Sequence, residues 1–288
     1  MTTETIPWTC PSCNTGVVTA FCPACGEHPL RTRELTLRGL VEHLFESFTS
    51  IDSKLVRSFR NLLARPGSLT VAYLEGRRKA FLGPVPLFLI SNVVFFAVES
   101  LVGSKVFITP LDSHLHTQPW SVFAPGLVQD RLATLHTTLE VYAPAFDQAI
   151  ALKARSLIVC MALFFALVPM LVFVRRRRPL VAHAVFSLHF YSFLLLTMCV
   201  ATVIEASYGW MGSLGFTYDA LDRFLSISLL TASALYLYFA IGAVYASRGI
   251  ARIAATLVLT VFVGAIVLAY RFALFLITLY STGSTPGS

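Results

Sequence analysis

The alternation of apolar and polar positions divides the chain into three regimes. Residues 1–30 show no sustained period. Residues 31–80 carry two apolar stripes at helical spacing. Beyond residue 81 apolar residues run almost continuously. Stretches of the roughly 20 residues needed to cross a bilayer lie near 84–103, 156–174, 184–204, 224–246 and 253–280. The pattern predicts an all-α integral membrane protein. Five transmembrane helices occupy 81–280 and are preceded by a small cysteine-bearing segment at 1–30 and amphipathic helices at 31–80, with a long connection at 104–153. The fifth stretch is long and carries Arg271 near its end, so it is expected to tilt or to stop early.

The first stripe runs through Leu37, Leu40, Val41, Leu44, Phe45 and Phe48, with Glu42, His43 and Glu46 opposite. The second runs through Leu55, Val56, Phe59, Leu62 and Leu63, with Asp52 or Ser53 as N-cap and Pro66-Gly67 as stop. A third helical pattern, Val128, Leu132, Leu135, Leu139 and Tyr142, predicts a surface helix over 127–142 within the long connection.

Composition supports this partition. Hydrophobic residues make up 56% of the 288, charged residues 13%, and mean hydropathy is +0.72. That is more apolar surface than a soluble core holds. The net charge of +7 sits mainly beside apolar segments, so anionic lipid headgroups are the expected partner and nucleic acid is not. Residues 1–80 contain ten Lys and Arg, "RRRR" follows the second stretch, and Arg248 and Arg252 lie between the fourth and fifth. By the positive-inside rule these regions are cytoplasmic. The N-terminus is then inside and the C-terminus outside, in a cell (inner) membrane. No cleavable leader is visible in the first 30 residues, and no internal repeat of the transporter kind appears.

The most specific signal is Cys10, Cys13, Cys22 and Cys25, a C-x2-C-x8-C-x2-C pattern. Two such knuckles converging on one tetrahedral ion make a closed, structural site favouring Zn2+, with Gly16 and Gly26 expected to supply the tight turns. So short a segment cannot bury enough apolar surface to fold alone, so the metal supplies its folding free energy. Rubredoxin-type iron shares this donor set. Two disulfides are the other alternative, opposed by a reducing cytoplasm. Cys160 and Cys199 fall in spans, as packing residues.

With the double knuckle, Asp52, Pro66-Gly67, Tyr73, Gly76 and Arg78 ahead of Pro84, Phe88 and Ser91-Asn92, the chain resembles the bacterial membrane family catalogued as domain of unknown function 3667. A later stretch, with His183, Phe186, His189 and Phe193, resembles the family's His-rich start of a span. Ala80, Phe81 and Gly83 stand where relatives commonly carry a basic residue, a Tyr and an Asn. The resemblance implies a fold and a membrane location, and no established activity.

Arg77, Arg78 and Lys79, just ahead of the first span, are suited to hold a lipid phosphate and equally to enforce orientation; "RRRR" at 175–178 reads as an anchor. Polar groups within spans are functional candidates by default. Asn92 falls mid-span in the first and His189 in the inner part of the third. Glu99, Arg155, Glu205 and Arg271 fall toward the outer ends of four spans, where ion pairing would form an interhelical clasp. In the connection, His114 and His116 on an extended strand would face one side and could bind a metal. No linear catalytic signature is present.

The expected role is a non-enzymatic, membrane-anchored interaction or assembly module, with the ribbon recruiting a cytoplasmic protein. The rivals are a transporter or lipid-handling protein, and an enzyme acting on a lipid phosphate at Arg77, Arg78 and Lys79.

Overall fold

A computed structural model describes residues 7–29, 52–103, 109–210 and 218–283. Strands β1 (Trp8–Thr9) and β2 (Gly16–Val17) pair antiparallel, Trp8 opposite Val17. The helices are α1 (Asp52–Ala64), α2 (Ser68–Leu74), α3 (Pro84–Val102), α4 (Leu111–His116) and α5 (Ala124–Leu135). They continue with α6 (Leu139–Val172), α7 (Leu180–Trp210), α8 (Tyr218–Tyr245) and α9 (Gly249–Ser281). The helix expected over 36–48 lies outside the described residues.

Among the described residues, four helices are long and apolar enough to cross a membrane: Pro84–Val102, Leu180–Tyr208, Ala220–Tyr245 and Gly249–Ser281. The chain is an all-α membrane protein. The second expected span, 156–174, falls in α6, whose described apolar part is Cys160–Val172. The five long helices α3, α6, α7, α8 and α9 nevertheless alternate in direction. The β-hairpin lies at one end of the bundle, the ribbon end, and α4 and α5 at the other, the cap end.

α7 is the hub. Every residue from Val181 to Leu195 is buried, as befits a helix apolar on all sides, and α7 packs on α1, α2, α3, α6 and α8. At the ribbon end Tyr245 of α8 stacks on Phe173 at 4.0 Å and binds His183 Nδ1 at 2.9 Å, so the ends of α6, α7 and α8 share one aromatic cluster.

At 1.5 Å per residue, α6 and α9, of 34 and 33 residues, each run about 50 Å. A hydrocarbon core is about 30 Å thick. The helix α9 continues ten residues past Arg271 to Ser281, and this excess length forms the core of the cap. There Phe275 of α9 stacks on the buried His114 at 4.7 Å, the Tyr142 hydroxyl donates to the Leu279 carbonyl at 2.8 Å, and Arg131 donates to the Leu279, Tyr280 and Thr282 carbonyls. A guanidinium on the last carbonyls of a helix satisfies groups without an intrahelical partner and complements the negative helix end.

Residues 109–153 are accordingly helical rather than a loop, and the helix expected over 127–142 is two helices. The chain turns at His136, φ 52°, where α5 ends. His114 and His116 also depart from expectation. They lie on helix α4, where residues two apart diverge. His114 accepts from Trp120 Nε1 at 3.2 Å in the interior, and burial holds its imidazole down to about 4, whereas His116 is exposed beside Asp112. They do not form a joint metal site.

Candidate metal centre and its dock

The ribbon is two copies of one backbone turn. In the first, Asn14 N–H donates to the Cys10 carbonyl at 2.8 Å and Cys10 N–H to the Thr15 carbonyl at 2.9 Å. In the second, Gly26 N–H donates to Cys22 and Cys22 N–H to Glu27, at 2.8 and 2.7 Å. Each turn needs a positive φ after its second cysteine, met by Asn14 at 58° and Gly26 at 72°. Asparagine tolerates this region better than other side chains do. Gly16, expected in that role, is instead a β2 residue of ordinary φ.

These turns bring Cys10, Cys13, Cys22 and Cys25 together, with all four sulfurs within 4.8 Å of one another and three pairs at 3.4, 3.5 and 3.7 Å. Ligand bonds of about 2.3 Å in a tetrahedral thiolate site place sulfurs roughly 3.8 Å apart, so the donor set fits a metal ion. The electrostatics agree. Hydrogen bonds from the Thr15 side chain and backbone hold the Cys13 thiol down to about 6. Cys25 is pulled down by the Glu27 backbone, yet burial and the three neighbouring thiols push it up to about 12. Four thiols this close cannot all ionise unless a cation joins them. With all four positions taken by cysteine, such a site is closed and has no place for a catalytic water.

What fixes the ribbon to the bundle is Glu27, 1% exposed. Its Oε2 accepts from Ser12 Oγ at 2.8 Å, Arg78 N–H at 3.1 Å and Lys79 N–H at 3.0 Å. A buried carboxylate needs such donors. The chain breaks away from α2 at Gly76, φ 83°, which leaves the Lys79 amide to Glu27, while the Arg78 amide is shared between Glu27 and the Gly76 carbonyl at 3.0 Å. Sequence reasoning missed Glu27, although a carboxylate two residues from a thiolate ligand is a signal that it has donors of its own.

The three basic residues at this junction are used differently. Arg77 pairs with Glu75, Arg78 lies over the Tyr73 ring at 4.4 Å and Lys79 is exposed. The helices behind them are packed on the bundle. Leu62, Leu69 and Tyr73 are buried in the main core, and Ser58 Oγ accepts from Leu82 N–H at 2.9 Å. Gly67, at φ 82°, presses against α8: a Cβ there would meet Ala240 Cα at 2.9 Å.

Residues 52–96 match the family described as protein of unknown function (DUF3667). The resemblance drawn from the sequence is confirmed over that segment, which runs from α1 into α3 and leaves the ribbon outside it. No curated protein and no solved structure matches the chain. The residues carrying the resemblance inside the DUF3667 segment have packing roles: Gly67 on Ala240, Tyr73 under Arg78, Gly76 at the break, Pro84 opening α3. Ser91 and Asn92 are buried and donate to the Leu87 and Phe88 carbonyls, at 2.9 and 2.8 Å.

The DUF3667 segment also reaches into the bundle. Thr70 Oγ1 is 2.8 Å from His189 Nδ1, and Phe193 stacks on Tyr236 at 4.2 Å. Among the described residues, His189 Nε2 and Asn92 Oδ1 are buried and have no hydrogen-bond partner. Of the four residues expected at a clasp, Glu99 and Arg271 both come within electrostatic reach of Tyr270, whose hydroxyl donates to the Ala154 carbonyl of α6 at 2.6 Å. Glu205 is exposed, and Arg155 lies in α6 with its side chain outside the described residues.

Proposed function

We propose that the protein is a non-enzymatic, membrane-anchored interaction module whose zinc ribbon is held at a fixed attitude on the bundle and presents a surface to a protein partner. The observation carrying this reading is the Glu27 dock. A ribbon serving only to fold its own segment would not need a buried carboxylate latched to the first span's approach. Zinc is the metal expected, because four thiolates in a closed tetrahedral site suit it. Val18 and Phe21, 65% and 60% exposed, supply apolar contacts on the ribbon. The measurement is quantitative co-purification from native membranes, comparing the unaltered chain with Phe21→Asp at equal metal content and membrane level. An interaction module loses specific proteins with Phe21→Asp; an unchanged set rejects it.

The dock makes its own prediction. Glu27→Gln retains shape and one acceptor but loses the charge that strengthens bonds to two backbone amides, each worth about 1.5–3 kcal/mol. Hydrogen exchange at Arg78 and Lys79 is expected to rise at least tenfold, with the metal still bound. Unchanged protection at those amides would show that the carboxylate does not hold the junction.

For orientation, the proposal is ribbon end cytoplasmic and cap end outside, resting on the ten Lys and Arg of residues 1–80 and on "RRRR". A cysteine at Ser113, at the cap end, should react with an impermeant maleimide on intact cells, and one at Lys79 only after permeabilisation. The opposite pattern inverts the reading.

One observation favours a second function, the handling of a proton or small solute: the unpartnered His189 Nε2 and Asn92 Oδ1 inside the bundle. Flux into proteoliposomes that disappears with His189→Ala would establish it, and the absence of any flux difference would remove it.

A further inference from the structure

At the ribbon end, a crevice of about 400 Å³ opens between the C-terminus of α6 and the N-terminus of α9. Its walls are apolar, with Val172, Ala251, Ala254 and Val258, and its rim carries Arg175 and Arg176. On α9 the lining positions 251, 254 and 258 follow the three-and-four spacing of one helix face. Their small side chains leave a groove along the helix axis.

The charge at the rim is unneutralised. Arg178 donates to the Val244 carbonyl at 3.3 Å, and Arg252 donates to Tyr238 O while lying over the Tyr238 ring. Among the described residues, the side chains of Arg175 and Arg176 have no such partner; both are exposed. Nor do the helices around them hold a carboxylate to spare: no Asp or Glu occurs between Asp147 and Glu205, or after Asp222. The first turn of α9 opens beside the same rim, and its N-cap residue, Arg248, supplies no side-chain acceptor. Two guanidinium groups and uncapped backbone donors are what a phosphate group requires. A free phosphate would use the rim but not the groove below it. An anionic phospholipid uses both.

We propose that the α6–α9 crevice is a binding site for one anionic phospholipid, its phosphate at Arg175 and Arg176 and an acyl chain along Ala251, Ala254 and Val258. The site is separate from Arg77, Arg78 and Lys79, which stand at the ribbon junction, where the Arg78 and Lys79 amides donate to Glu27. It therefore stands whether or not the ribbon recruits a partner.

The test uses delipidated full-length protein in a neutral detergent, titrated with dioleoyl phosphatidylglycerol, dioleoyl phosphatidylcholine or inorganic phosphate. Retained lipid is read by native mass spectrometry, and competition between the ligands by displacement. Saturable retention of one phosphatidylglycerol is expected, at least tenfold tighter than phosphatidylcholine and poorly displaced by phosphate. Removing both rim charges in Arg175→Gln/Arg176→Gln should weaken it on the order of 10- to 30-fold. Ala254→Phe keeps the charge and fills the groove, and should weaken it comparably; Ala251→Leu provides a milder block should the larger side chain disturb insertion. Arg60→Gln, on the exposed side of α1, should change nothing. Binding unaffected by both groove variants, equal losses with Arg60→Gln, or displacement by phosphate as effective as by lipid would each overturn the proposal.

Discussion

Serine in place of Cys22 is expected to leave the purified protein without its metal ion and to unfold residues 7–29, while the helical bundle stays inserted. The ribbon's own interior is Cys10, Val17 and Cys22, with Trp8 and Cys25 against it. One aliphatic side chain cannot offset the entropy of ordering such a segment, at about 1–2 kcal/mol per residue for the backbone alone. The ion must supply the difference, and structural zinc sites contribute about 10–16 kcal/mol at neutral pH. The bundle owes nothing to the metal, because its helices satisfy their own backbone groups and pack on α7. Elemental analysis should give one zinc in the unaltered chain and none in Cys22→Ser. Hydrogen exchange should show protection lost over residues 7–29 and at the Arg78 and Lys79 amides that Glu27 holds, with the rest of the bundle unchanged. A ribbon that keeps its protection without metal, or cysteines found oxidised in pairs, would refute the metal centre.

Gly67→Ala is expected to be the most damaging single substitution among the glycines. Two costs coincide there. A non-glycine residue in the left-handed region costs roughly 1–2 kcal/mol, and a Cβ 2.9 Å from Ala240 Cα and 3.1 Å from its carbonyl forces backbone apart in a packed layer, which costs typically 1–3 kcal/mol more. The expected loss is therefore about 2–5 kcal/mol, visible as a fall in thermal stability in detergent. Two controls separate the terms. Gly26→Ala meets nothing within 4 Å and pays only for φ; Gly16→Ala, with no clash and an ordinary φ, should be near neutral. Equal effects at all three positions would disprove the close approach of α2 to α8.

Those glycines also show which parts of the fold were legible in the sequence. The cysteine spacing specified the convergence of four thiols because ligand geometry is local, and Pro66-Gly67 marked the end of α1 for the same reason. What α1 and α2 pack against was not legible, because an apolar stripe looks the same whether it meets lipid or Leu62 meets α7. Gly16 was misassigned and Asn14 overlooked, since the turn's demand for a positive φ falls one residue after the knuckle, whichever residue stands there. The partners of Glu27 lie 51 and 52 positions away, beyond any periodicity. The cap was hidden for a different reason. Hydropathy measures how apolar a segment is and not what surrounds it, so the far half of α9 reads as membrane although His114, Trp120 and Phe146 enclose it.

α9 has no proline from Gly249 to Ser281, whereas α6 holds Pro169 near its ribbon-end terminus, where the Phe165 carbonyl lacks its usual intrahelical donor. The two helices therefore respond differently to a push. α9 behaves as a strut packed between α6 and α8 and clamped by Arg131 and Tyr142 at its cap end, while α6 has a place to flex. Rotating a strut of about 50 Å by 5° displaces its far end by roughly 4 Å, about the height of two atoms. A small change of tilt at the lipid crevice would thus arrive on the opposite side of the membrane as a shift large enough to repack the aromatic cage around His114.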